Sequence, residues 1–317
     1  MYAPAVEKWR YMVNLATLRD VVILGRLPFL AGGLLLFVIG ALLALLSGAA
    51  FSLPRFLFGY AIFFTAQLSL SYSNNYFDVE ADRYSEQTPI SGGSAVLVRR
   101  PELRPFAIRF ALALVTMSLV LAIAFTMVYE YPWWFVGFVA GGNALGWFYT
   151  APPLRLAYRG WGELATSLTY AFLMPGIGYL TFMQRFEWLF LFMAAPLLLY
   201  GLNFIITVEL PDMESDRRAA KHTLVVRWGR RTSLVVVALA LLAATLSFGG
   251  LSQFATGIPF DFWMIALFSL IPLSTAAVGL YRLSDNRDVI EQIALGNIAG
   301  LNLFALSIIA YFVALLL

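Results

Sequence analysis

Stretches of about 20 apolar residues recur along the whole chain, near 27–47, 56–76, 105–128, 132–150, 163–183, 187–208, 232–251, 261–281 and 293–316. Each has the length that a helix rising ~1.5 Å per residue needs to cross ~30 Å of hydrocarbon. Within lipid a backbone must satisfy its own hydrogen bonds, so these stretches predict an all-α, polytopic bundle of nine transmembrane helices. The composition agrees. Residues of the AVILMFWYC set make up 61% of the chain and charged residues 12%, against roughly 45–50% and about 25% in soluble domains. A water-soluble globule is excluded, and the 317 residues read as one integral-membrane domain, 1–317.

Basic residues set the orientation. With the N-terminus cytoplasmic, every Lys and Arg of the 21 except Arg55 and Arg185 falls on the cytoplasmic side, as the positive-inside rule requires. The C-terminus is then external, and the expected location is the plasma (cell inner) membrane. Residues 1–26 mix charges with Trp9, Tyr11, Met12, Leu15 and Leu18, the pattern of an interfacial segment rather than a cleaved signal. The two longest polar stretches, 77–104 and 209–231, lie on the same cytoplasmic side. The chain has no Cys and a single His, His222, so disulfides, thiolate sites and multi-histidine metal sites are excluded. Any metal must be held by oxygen.

Acidic residues at the ends of two spans are the chemical signal. Asn74, Asp78 and Asp82 follow the second span at intervals of four. Glu209, Asp212 and Asp216 follow the sixth at three and four. On a continuing helix each set shares a face. Like charges at such spacing repel, and a helix C-terminus adds partial negative charge, so each cluster calls for a cation. Oxygen-only ligands suit Mg²⁺, which takes its remaining ligands from water and substrate phosphates. Arg83, Arg155, Lys221 and Arg227 lie nearby in sequence as diphosphate partners. One such motif alone is commonly a solvated, Arg-paired surface; two copies after spans of the same orientation suggest clusters facing each other across a central cavity open to the cytoplasmic side.

These residues resemble the UbiA-type family of intramembrane prenyltransferases, with Asn74-Asn-Tyr-Phe-Asp78-Val-Glu-Ala-Asp82 as its first signature and Asp212-Met-Glu-Ser-Asp216 as its second. Arg26-Leu-Pro28, Tyr149-Thr-Ala-Pro-Pro-Leu-Arg155-Leu-Ala-Tyr158-Arg-Gly160-Trp-Gly162-Glu163 and the run from Asp216 through Lys221 and Arg227 to Gly229 extend the likeness. Ser91-Gly-Gly-Ser94 is similar to the branch that prenylates 1,4-dihydroxy-2-naphthoate in menaquinone synthesis. That branch often has Asn-Asn-x-Arg-Asp at the second motif, where this chain reads Glu209-Leu-Pro-Asp212.

The resemblance implies Mg²⁺-dependent transfer of a polyprenyl group from polyprenyl diphosphate to an aromatic acceptor. Asn74, Asp78, Asp82, Glu209, Asp212 and Asp216 would hold metal. Asn74, Arg83, Arg155, Lys221 and Arg227 would hold diphosphate, and Tyr149, with Tyr76 near it, would face the allylic cation. Membrane lipid surrounds the bundle, with no nucleic acid or obligate protein partner expected. Two alternatives stay open: the same ionisation with another acceptor or fate (4-hydroxybenzoate, homogentisate, an isoprenoid ether lipid, cyclisation), and a cation-coupled transporter. Other features read as structure. Gly92 and Gly93 form a turn or a loop closing on substrate, the pairs Gly142/Gly146 and Gly296/Gly300 allow close helix contact, and Asn297 and Asn302 make interhelical hydrogen bonds.

Overall fold

The computed structural model describes residues 15–86, 88, 91–254 and 257–317, and all regular structure among them is helical. A short α1 (Leu15–Leu24) leads into α2 (Leu27–Leu46), α3 (Leu53–Phe77), α4 (Arg104–Val128) and α5 (Trp134–Thr150). Next comes α6 (162–180), assembled from Gly162–Leu168, a π turn over Thr169–Leu173, and Met174–Leu180. The chain continues with α7 (Trp188–Glu209), α8 (Leu224–Phe254), α9 (Phe262–Arg282) and α10 (Arg287–Leu316).

Local chemistry sets these boundaries. Pro28, Pro54 and Pro105 sit in the first turns of α2, α3 and α4, where a missing N–H leaves no hydrogen bond unmade. The side chains of Asp261 and Asn286 accept the N–H groups of Trp263 and Asp288, each at 2.8 Å, and so start α9 and α10. Helix α8 begins earlier than its apolar run because residues 224–228 form a separate helical segment, broken from the rest at Gly229 (φ 79°, ψ 163°).

Seven helices, α2, α3, α4, α7, α8, α9 and α10, are long and apolar enough to cross a membrane. The other two expected spans fall short of that measure. Helix α5 has 17 residues, about 26 Å of rise, and α6 is interrupted by its π turn.

Helices α3 and α4 lie against each other with α5 beside both, and α2 packs on the end of α6 and on α10. From α6 the chain of contacts runs through α7, α8, α9 and α10 back to α2. Tyr179, Tyr200, Phe248 and Phe304 fill the larger core; Phe37, Phe63, Phe125 and Phe135 fill a second one around α2–α6. Between helices in lipid, cohesion comes from close packing rather than water exclusion. The tightest crossing is α2 on α6, where a Cβ on Gly40 would lie 1.8 Å from the Pro175 carbonyl and one on Gly178 would lie 2.0 Å from that of Phe37. Of the glycine pairs picked from sequence, one member makes a close helix contact and the other three do not. Gly300 presses on Thr275, but Gly296 has open space, and Gly142 and Gly146 border a cavity.

Residues 1–14 of the expected interfacial segment lie outside the described residues. Its remainder, α1, exposes Leu15 and Leu18 and is tied by Arg100, which donates to Asp20 at 2.9 Å and Thr17 at 3.1 Å.

Candidate active site

Both acidic motifs fold into the same kind of turn. Asp78 ends α3 at φ −92°, ψ 4°, and Asp212, just beyond α7, has φ −88°, ψ 0°. Each lies in the bridge region, where a helix bends without losing its hydrogen bonds. The ladder continues through both: Asp82 N donates to Asp78 O at 2.8 Å, and Asp216 N to Asp212 O at 2.8 Å. The short helices that follow, Val79–Asp82 and Met213–Arg218, touch each other. The expected one-faced stacking of carboxylates therefore survives a bend that spacing did not reveal.

Three other segments close on these turns. Ser91-Gly92-Gly93 bridges them: Gly92 N donates to Asp212 Oδ2 at 2.9 Å, while a Cβ on Gly93 would fall 2.3 Å from Asp82 Oδ1. Both glycines have positive φ (78° and 65°), a backbone that other residues resist, and at Gly93 a side chain would also collide with the Asp82 carboxylate. From the loop after α5, Tyr158 donates its hydroxyl to Asp78 Oδ1 at 2.8 Å. From the loop after the second motif, Lys221 Nζ lies 3.3 Å from Asp78 Oδ2 and 3.5 Å from Asp216 Oδ1. These three side chains are only 9–15% exposed, so the ammonium is a buried cation shared by the two motifs.

Crowding of charge in this shielded place moves protons. Burial, then Asp78, pushes Asp82 up to about 7. Burial pushes Asp216 up to about 6 against the pull of Lys221. Asp212 is raised by burial, opposed by the Gly92 N–H. Burial works against the charge of Lys221, yet Asp78 and Asp216 hold its ammonium well above the usual lysine range.

Below the motifs the bundle encloses a cavity of about 380 Å³. Its mouth is lined by Asn74, Asp78, Asp82, Asp212, Asp216, Lys221 and Arg26, and its depth by Phe138, Leu173, Met174 and Ile177. Asn74 Oδ1 accepts from Thr150 Oγ1 at 2.8 Å. Tyr149 and Glu209 stand on the wall at the start of the apolar part.

Of the residues expected from sequence, Asn74, Asp78, Asp82, Tyr149, Glu209, Asp212, Asp216 and Lys221 thus gather on one cavity. Arg83, Arg155 and Arg227 do not line it. Arg83 pairs with Glu80 at 3.0 Å on the exposed side of its turn. One residue beyond Asp82, it is carried about 100° around the helix, away from the carboxylate face. Arg155 stacks over the Tyr158 ring at 3.8 Å and backs that tyrosine from behind, while Arg227 is exposed beside Gly160. Arg26, Tyr158 and the Ser91–Gly93 backbone were not among the expected site residues. Arg26 takes a left-handed conformation (φ 50°) before Pro28, lies over the Phe29 ring at 4.4 Å and lines the cavity together with Asp78, Asp82 and Asp212. Its signal was the Arg26-Leu-Pro28 sequence, where a proline-initiated helix must be entered by a turn.

Residues 34–298 match the model of the UbiA prenyltransferase family. The chain belongs to that family. Among curated relatives, a 1,4-dihydroxy-2-naphthoate octaprenyltransferase of Bacillus subtilis is 21% identical over 212 residues, 67% of this chain and 66% of the relative. A 2-carboxy-1,4-naphthoquinone phytyltransferase of Synechocystis sp. is 30% identical over 105 residues, 32% of this chain and 33% of the relative. The matched region thus spans just under two thirds of the first and a third of the second. Among solved structures, a UbiA homolog from Archaeoglobus fulgidus bound to GPP and Mg²⁺ superposes with TM-score 0.65 at 15% identity, over 92% of this chain and 99% of its own. An apo UbiA homolog from Aeropyrum pernix gives 0.64 at 15% identity, over 88% and 97%. The fold is that of UbiA homologues, and the protein is an integral membrane protein.

Proposed function

We propose that this protein transfers a polyprenyl group from polyprenyl diphosphate to an aromatic acceptor of the 1,4-dihydroxy-2-naphthoate kind. The observation that carries the reading is the pairing of two acidic turns around one buried ammonium at the mouth of an apolar cavity. A prenyl diphosphate has the matching shape, an anionic head on a hydrocarbon tail. The naphthoate relatives favour that acceptor, and the relative solved with GPP and Mg²⁺ favours that donor.

The residues fit a divalent ion. Asp78, Asp82, Asp212 and Asp216 are hard oxygen donors, the preference of Mg²⁺, and the Lys221 ammonium already marks a cation-seeking point between Asp78 and Asp216. Among the described residues no three acidic side chains converge on one centre, so Mg²⁺ would need diphosphate and water for its remaining ligands. When bound, Mg²⁺ would neutralise charge developing on the departing diphosphate. Asn74 joins the aspartates on the donor side, and Arg26 and Lys221 supply fixed positive charge to the leaving group. Tyr158 and Gly92 hold Asp78 and Asp212 in place before substrate arrives. Tyr149 offers a ring face to the allylic cation, and the apolar wall keeps water from it.

In this reading α5 and α6 complete nine membrane crossings and the mouth faces the cytoplasm, an orientation that the distribution of basic residues supports; the membrane is taken to be the plasma membrane. Purified protein incubated with geranyl diphosphate, Mg²⁺ and 1,4-dihydroxy-2-naphthoate should yield a prenylated product by mass spectrometry. Cation flux into proteoliposomes without diphosphate release would replace the reading with that of a transporter.

A further inference from the structure

We infer that Gln67 is a binding residue for the aromatic acceptor, its side-chain carbonyl accepting a hydrogen bond from one of the acceptor's hydroxyls. The inference rests on the prenyl-transfer reading above. Gln67 lies on α3 seven residues before Asn74, about two turns farther into the membrane and within about 20° of the same face. Both line the cavity, but in different surroundings. Around Gln67 the wall comes from Phe29, Gly32, Gly33 and Leu36 on α2 and from Ala66 and Leu70 on its own helix, with no ionisable side chain among them. An amide is costly in such a place unless its polar atoms are used.

Only one end of that amide is used within the protein. Gln67 Nε2 donates to the Phe29 carbonyl at 2.8 Å, which clasps α3 to α2 and fixes the way the amide faces. Gly33 completes the seat, since a Cβ there would collide with both Nε2 and Oε1. The carbonyl oxygen Oε1 meets no donor among the described residues, and it is not one of the polar atoms sealed inside the protein. Gln67 is only 9% exposed, and the space it meets is the cavity. A fixed acceptor atom thus faces an apolar chamber and lacks a donor.

Depth selects the ligand. On α2 the seat spans Phe29 and Gly33, about one and two turns below Arg26 at the mouth. A prenyl diphosphate anchored at the mouth is bare hydrocarbon at that level and carries no hydrogen-bond donor. An aromatic acceptor carries one there, because its reacting carbon must come within ~3–3.5 Å of the prenyl C1 and a ring hydroxyl beyond that carbon reaches a partner ~2.7 Å farther on. A site that hydrogen-bonds an O–H in an apolar wall also rejects the analogue without it.

The test measures equilibrium Kd for 1,4-dihydroxy-2-naphthoate and for 1-hydroxy-2-naphthoate and 4-hydroxy-2-naphthoate, each lacking one hydroxyl, on wild type and on Gln67→Met. Wild type should bind one of the two analogues about 10-fold more weakly than the dihydroxy acceptor, the cost of leaving one neutral group unpaired. Gln67→Met should bind that analogue and the dihydroxy acceptor alike, with its Mg²⁺-dependent Kd for geranyl diphosphate within about twofold of wild type; if Gln67→Met does not insert, Gln67→Asn, which withdraws the amide by one methylene, should show the same lost discrimination. A purely structural clasp would weaken all three acceptors together and keep their ratios, and that result would overturn the inference. Equal binding of all three by wild type would overturn it without any variant. A change confined to geranyl diphosphate would overturn it too, by assigning Gln67 to the donor. These failures leave prenyl transfer standing, whereas a wild type that forms no prenylated product from geranyl diphosphate and 1,4-dihydroxy-2-naphthoate would overturn both the inference and the reading beneath it.

Discussion

Asp78 and Asp212 occupy equivalent turns with nearly superposable backbone angles, yet they are fixed by different means. Asp78 is held by two side chains from distant loops, the Tyr158 hydroxyl and the Lys221 ammonium. Asp212 is held by the glycine turn at 91–93, through the Gly92 N–H with the Ser91 side chain beside it. A side-chain clamp can be weakened by degrees, one partner at a time. A backbone clamp is set by φ angles that glycine adopts and other residues resist. The first motif should therefore respond to substitution gradually and the second abruptly.

The largest effect belongs to what the two motifs share. Asp78→Ala and Asp212→Ala should each lower prenyl transfer by about 10³-fold or more while the protein remains folded and inserted; near-normal turnover in either would end the equivalence of the motifs. Next comes the backbone clamp. Gly93→Ala forces a Cβ against Asp82 at positive φ, and should cut turnover by roughly 10²-fold with a displaced loop, checked by steady-state kinetics beside limited proteolysis. The side-chain clamp is milder. Tyr158→Phe removes one neutral-donor hydrogen bond to a carboxylate, about 1.5–3 kcal/mol, and should weaken turnover by about 10- to 100-fold, less than Gly93→Ala.

Protonation sharpens the comparison further, because the outer aspartate of each motif is raised, Asp82 to about 7 and Asp216 to about 6. A carboxylate raised in the folded state favours folding when protonated. Without metal the stabilising contribution of these two carboxylates should therefore be full below the ordinary carboxylate value of 3.8 and be lost as pH rises through 6 and 7. Mg²⁺ binding needs both ionised and should release protons at pH 6 but few at pH 8, measurable by titration in buffers of different ionisation enthalpy. The smallest effect is expected of Arg83→Ala, within about twofold in KM for the donor, since its partner is Glu80 on an exposed surface.

Seven of the nine expected spans and the spacing of both motifs were legible in the sequence because each depends on local pattern. Apolar length alone places α2, α3, α4 and α7 within a few residues, and a four-residue interval suffices to stack Asp78 with Asp82. The parts that escaped depend on tertiary approach. Nothing near Tyr158 in sequence announces that its hydroxyl meets Asp78, 80 residues away. Arg26 joins the aspartates on the cavity lining through a left-handed turn. Arg83 misled for the opposite reason, since adjacency along a helix is divergence in space. The π turn in α6 lies against α7, a tertiary contact for which the linear pattern has no sign.

The central claim is that the two acidic turns act as one diphosphate site through a divalent ion, and equilibrium binding of geranyl diphosphate tests it most directly. The account predicts that binding to wild type requires Mg²⁺, and that Asp78→Asn and Asp212→Asn each abolish the Mg²⁺-dependent part. Binding that is indifferent to Mg²⁺, or that survives either substitution unchanged, would contradict it.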